Sequence, residues 1–132
     1  MEYPAAYENV VAVGAVDERL RRAAFSNTGR HLTLMAPGTN ILSTVPLKRS
    51  RHRSETDLSA WDGTSMATPQ VSAAVAMLIA TAGSMSPKEV IAALCRSAKP
   101  LAEMANPHGA LYCGHGLLNV RKLLRKKAKR HA

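Results

Sequence analysis

Within a chain of 132 residues, one short stretch carries residue types suited to covalent chemistry: Gly63-Thr64-Ser65-Met66-Ala67-Thr68-Pro69. A nucleophilic serine needs a hydroxyl that projects from a tight, rigid bend. It also needs a backbone N–H at a helix start to meet the oxyanion that its attack creates. The small residues around Ser65 meet both needs. Gly63 lets the chain turn at any φ, Thr64 is a good N-cap, and Met66 and Ala67 continue without a branched side chain crowding the serine. Pro69 has no N–H to offer the Ser65 carbonyl, so the first helical turn is expected to be looser than a regular one. The plainer alternative is an ordinary Ser/Thr-capped core helix.

Such a turn needs elements on either side to hold it. From Ser65 to Thr81, the residues Val71, Ala73, Ala74, Val75, Ala76, Met77, Leu78, Ile79 and Ala80 cover every face of a helix about 25 Å long. That pattern predicts a helix at the centre of a domain, with Gly83 as its stop. Upstream, the unbroken β-branched run Val10 to Val16 reads as a strand buried on both faces. Ala23 to Asn27 and His31 to Met35 read as short strands split by the turn Asn27-Thr28-Gly29, and Asn40 to Val45 as a further strand. Downstream, Ser86-Pro87-Lys88-Glu89 is a capping box opening a helix with Val90, Ile91, Ala93, Leu94 and Cys95 inward, ended by Lys99-Pro100. Asn119 is placed to cap the last helix.

The stretch Gly63 to Pro69 resembles the nucleophile motif of the subtilisin-like serine proteases, the subtilases. Further segments match in the family's order: Tyr3-Pro4-Ala5 before the Val-rich strand that ends Val13-Gly14-Ala15, then Phe25-Ser26-Asn27-Thr28-Gly29, Met35-Ala36-Pro37-Gly38, and the closing run Gly114-His115-Gly116-Leu117-Leu118-Asn119. The resemblance runs from Tyr3 to about Leu123 and takes in under half of the family's catalytic domain. It implies an α/β fold, the C-terminal portion of the subtilisin-like fold, with a mainly parallel sheet, a buried central helix and peripheral helices. Residues 1–123 are then part of a catalytic domain and 124–132 a basic tail. The implied activity is endopeptidase cleavage of a peptide or protein substrate through an acyl-enzyme on Ser65. Its backbone N–H is an oxyanion donor, Thr64 supports that site, and Trp61 and Gly63 line the substrate cleft, Trp61 on the leaving-group side. No cofactor is implied.

A serine hydroxyl at its ordinary pKa is a poor nucleophile and needs a histidine oriented by a carboxylate. His115 sits inside the closing motif, and His31, His52, His108 and His131 have no family context. Asp17, Asp57 and Asp62 are not in an Asp-Thr-Gly or Asp-Ser-Gly strand end. The family order is Asp, His, oxyanion Asn, Ser. The expected partner is therefore a missing N-terminal half that brings the first three, and the chain alone is expected to be inactive. Gln70 stands where many subtilases carry a non-catalytic histidine. Thr33 stands for an aspartate that, beside the carbonyls of Ala5, Tyr7 and Val10, helps many of them bind a cation weakly; with that carboxylate gone, no metal is expected.

Composition narrows the remaining classes. The length fits one domain burying about two-thirds of its unfolded surface. Its 46% hydrophobic and 4% aromatic content describes a core of Ala, Val, Leu and Met. The longest uncharged apolar run, Ala73 to Ala80, falls short of the roughly 20 residues a bilayer requires, so no membrane partner is expected. No basic-then-apolar segment follows Met1, so either the chain is cytosolic or its true start lies elsewhere; the resemblance implies export. Net charge is +9, but seven positive charges fall between Arg121 and Arg130. Elsewhere eleven Lys and Arg face nine Asp and Glu, a net +2, and nucleic acid is not the expected partner. Leu47 to Ala60, with Lys48, Arg49, Arg51 and Arg53, reads as an exposed insertion, either a solvated loop or a surface favouring acidic substrate positions. A reading of a different class makes the chain a non-catalytic remnant that binds an acidic partner or nucleic acid through Leu47 to Arg53 and the tail. Cys95 and Cys113 have no metal-ligand spacing and stay open as free thiols or, in an exported protein, a disulfide.

Overall fold

The computed structural model describes residues 3–45 and 57–125. Much of the basic insertion and most of the basic tail, with His52 and His131, lie outside these residues. The order of elements is β1 (Ala12–Val16), β2 (Leu32–Pro37), β3 (Ile41–Thr44), β4 (Leu58–Trp61), α1 (Thr64–Ala82), α2 (Pro87–Ser97), a 3-10 turn (Ala102–Ala105), α3 (Gly109–Cys113) and α4 (Val120–Leu123).

β1 and β2 are parallel, and β3 and β4 form an antiparallel hairpin. Alternation along β2, its phase switched after Leu32 by a bulge, explains its double-sided burial. Leu34 and Ala36 face Ala67, Val71, Ala74 and Leu78 of α1 with Val90 and Leu94 of α2, while Leu32 and Met35 face Val16, Leu101 and Cys113 on the other side. The ladder slips between Ala12 and Val13, leaving Thr33 as an extra residue of β2. The buried Thr33 hydroxyl accepts the Ala12 N–H at 3.1 Å, so this side chain repairs the bulge. The closing run seals the outer edge of β2: Leu117 bridges Met35 on one side and Lys99 on the other.

Three expectations are corrected. Ala23 to Asn27 is a turn, not a strand. Its contacts with β1 are single bonds, Ala23 N–H to the Ala15 carbonyl at 2.9 Å and Ala15 N–H to the Ser26 hydroxyl at 3.0 Å. The Arg22 guanidinium takes the Ala23 and Ser26 carbonyls, so side chains supply the partners a ladder would have supplied. Leu58 to Ala60, read as the end of an insertion, forms with Trp61 a strand that pairs with β3 from Ile41↔Trp61 to Thr44↔Leu58. Finally, α1 is buried along one stripe only. Met77 and Ile79, on either flank of that stripe, are 42% and 41% exposed, so within the described residues its all-round apolar pattern exceeds what is covered. By length and composition α1 could also cross a membrane. Here its Ala67, Val71, Ala74 and Leu78 are locked in the core.

α2 follows its local signals. Ser86 Oγ accepts the Glu89 N–H at 3.3 Å and the Glu89 carboxylate accepts the Ser86 N–H at 2.8 Å. Asn119 caps α4 through the Lys122 N–H at 2.9 Å. Cys95 and Cys113 are both free, and burial pushes each thiol pKa up.

Candidate active site

One tight turn after β2 holds the segment that bears Ser65. Gly63 N–H donates to the Gly38 carbonyl at 2.7 Å, and Asn40 N–H donates to the Asp62 carboxylate at 2.7 Å. The Asn40 side chain, on a residue with φ of +54°, reaches Glu18 at 3.0 Å. The Gln70 amide donates to the carbonyls of Pro37 at 2.7 Å and Met66 at 3.1 Å. Gly38 must be glycine, because a Cβ there would lie 2.5 Å from Ala15 Cβ and 2.8 Å from the Gly63 carbonyl oxygen. The serine turn is thus pressed against the end of the β1–β2 pair.

Gly63, at φ +156°, is the N-cap of α1 and Thr64 its first helical residue, where the sequence expectation had Thr64 as the cap. The reason is local: Gly63 takes the cap conformation that a side chain would resist, and no side chain bonds the helix start. The Thr64 carbonyl instead accepts from Thr68 Oγ1 at 2.8 Å. Ser65 is exposed, and among the described residues its N–H and hydroxyl make no hydrogen bond. The result is a free hydroxyl beside an unused donor at the positive end of a 19-residue helix, a combination fit for nucleophilic attack with oxyanion stabilisation.

Trp61 ends β4, half exposed, its indole N–H on Ser59 Oγ at 2.9 Å. With Ile41, Val45 and Met66 it lines an apolar groove of about 180 Å³ next to the serine. The described histidines gather elsewhere. His115 contacts the Thr33 carbonyl, 3.1 Å from its ring nitrogen, near the start of β2; His31 packs by Gly29; His108 precedes α3. Asp17 is engaged by the Arg19 and Arg21 backbone and the Arg21 guanidinium, which hold its carboxyl below the usual range, the Arg21 N–H first. No group of three or more His, Cys, Asp or Glu side chains suited to a metal occurs among the described residues. Sequence reasoning missed the bracing by Asn40 and Gln70. Only the Gly38-Thr39-Asn40 turn composition hinted at the first.

The chain matches the Peptidase_S8 family model, Subtilase family, over residues 1–116. It is 37% identical over 118 residues to subtilisin DY of Bacillus licheniformis, covering 89% of this chain and 38% of that protein. Against the major intracellular serine protease of Bacillus subtilis (strain 168), it is 39% identical over 119 residues, covering 85% and 35%. Fervidolysin of Fervidobacterium pennivorans, a keratinolytic enzyme related to subtilisin, superposes with a TM-score of 0.82 at 29% identity, over 95% of this chain and 20% of that one. The chain thus spans less than half the length of these relatives. Motifs, parallel α/β core and serine turn agree with these matches: the chain belongs to the subtilase family of serine peptidases.

Proposed function

We propose that this chain is the serine-bearing, C-terminal part of a subtilase catalytic domain, residues 1–123, followed by a basic tail, residues 124–132. Ser65 is the nucleophile of a serine endopeptidase. Its Oγ attacks a peptide carbonyl, its proton passes to a histidine and on to the leaving amine, and water releases the acyl group from Ser65. The Ser65 N–H stabilises the oxyanion, Thr64 supports that turn, and Trp61 and Gly63 contact a peptide substrate, Trp61 on its leaving-group side. The histidine, its orienting carboxylate and the oxyanion asparagine come from a complementary N-terminal half. Without that half the chain is inactive. The reading is supported above all by Ser65 itself: exposed, uncapped, and backed by a braced helix start.

The same half covers the open surfaces. Val10, Val11 and Val13 of the β1 region line a groove of about 300 Å³ with Thr64 and Thr68 of α1, a shape suited to further strand and helix packing. Export is the proposed location, although one relative is named an intracellular protease; assaying culture medium against cell lysate decides it.

The deciding assay mixes the chain with a separately made N-terminal half bearing the Asp, His and Asn segments and follows labelling by an organophosphorus serine probe. Labelling that requires both halves and vanishes in Ser65→Ala is the expected result. Rapid labelling of the lone chain, or none in the mixture, overturns the reading.

A further inference from the structure

The first turn of α1 is weakly held from within. Pro69 cannot donate to the Ser65 carbonyl, and no side chain caps Gly63. One turn on, Gln70 sends its side chain out of the helix to the strand. Its terminal nitrogen lies 2.7 Å from the Pro37 carbonyl and 3.1 Å from the Met66 carbonyl. An amide nitrogen carries two hydrogens, one for each acceptor, whereas the flipped amide would set its oxygen against two carbonyls. Pro37 and Gly38 are adjacent, and Gly38 already accepts the Gly63 N–H. Ser65 therefore lies between two tethers to the same end of β2, one before it and one after it.

We propose that Gln70 is a positioning residue for Ser65, its side-chain amide locking the first turn of α1 onto the end of β2. It takes over the restraint that Pro69 removes from the helix. The Pro37 carbonyl is exposed and the bond to the Met66 carbonyl is partly buried, so the lock rests on one amide holding two acceptors at once. Losing the amide frees the turn to rock about the Gly63 tether and moves Oγ relative to the substrate carbonyl. A displacement of about 1 Å is enough to cost about a hundredfold in rate. The functional half of this proposal rests on Ser65 being the nucleophile; the mechanical half does not.

The test uses Gln70→Leu, Gln70→Glu and Gln70→His in the full chain. In the chain alone, amide hydrogen exchange at Gly63 and Met66 is expected to quicken about tenfold in Gln70→Leu, the scale of one lost hydrogen bond. Gln70→Glu should match Gln70→Leu at neutral pH, where a carboxylate cannot donate. It should recover below about pH 4.3, where the protonated acid can donate again. Gln70→His, with a ring N–H of similar reach, should restore slow exchange. In the complex with the N-terminal half, Gln70→Leu should lower the maximal labelling rate about ten- to a hundredfold with half-saturating probe concentration unchanged, and Gln70→His should restore it. Unchanged exchange in Gln70→Leu overturns the lock. Faster exchange with an unaltered maximal rate overturns the positioning role. A wild-type complex that never labels counts against the proposed function alone, since exchange still judges the lock.

Discussion

The starts of α1 and α2 solve the same problem in opposite ways. Every helix begins with backbone N–H groups that lack intrahelical acceptors. At α2, Ser86 and Glu89 consume them reciprocally. At α1, a bare glycine stands at the cap and the Ser65 N–H is left over. Stability at α1 comes instead from outside the helix, through Gly38, Asn40 and the Pro37 carbonyl. The difference teaches how a fold keeps a donor available: it moves the restraint to neighbouring backbone, so the helix end stays open to a ligand.

Four substitutions or conditions break or sharpen that contrast, in falling order of effect. In the two-part complex, Ser65→Ala should reduce turnover by about a millionfold, the scale measured for subtilisin itself on losing its serine. Melting of the lone chain should barely change, because the residue is exposed. Gly38→Ala forces a methyl into Ala15 and the Gly63 carbonyl. It should cost about 1–3 kcal/mol in urea unfolding, with shifted resonances at Gly63 to Met66 and none at Ser86 to Glu89. Ser86→Ala should cost about 1 kcal/mol and leave labelling of the complex unaltered; an equal loss of labelling would erase the distinction between the two starts.

The smallest effect is a pH dependence at the start of α2. The Ser86 N–H first, then its hydroxyl, hold the Glu89 carboxyl below its ordinary 4.5. A depressed pKa stabilises the fold fully above 4.5 and loses that contribution as pH falls through the lower folded value. Protection from exchange at the start of α2 should therefore fall in that acid window, and Glu89→Gln should flatten the profile, while protection at Gly63 stays level.

The two starts also differ in how far the sequence discloses them. α2 was legible because its signals lie within four residues, and α1's extent because its unbroken apolar run stops at Gly83, although its cap is Gly63 and not Thr64. The bracing of α1 was not legible, since Gln70 meets Pro37 across 33 residues of chain and neither type advertises the other. Ala23 to Asn27 misled because Ser26 and Arg22 act through side-chain bonds that propensity does not weigh. The one-sided burial of α1 was hidden for another reason: an apolar residue states what it would bury, not whether a cover is at hand.

The sheet has one closed edge and one open edge. Leu117 and Lys99 occupy the outside of β2. On the outside of β1, Ser26 and Ala23 engage Ala15 and Arg22 bridges Val16, which leaves the backbone at Val11 and Val13 as the open stretch of that edge among the described residues. Association through the edges of the β1–β2 pair accordingly has a valence of one. Two copies meeting edge to edge satisfy each other about a twofold axis and leave no further edge to extend, so this contact ends at a dimer and does not propagate into a fibril.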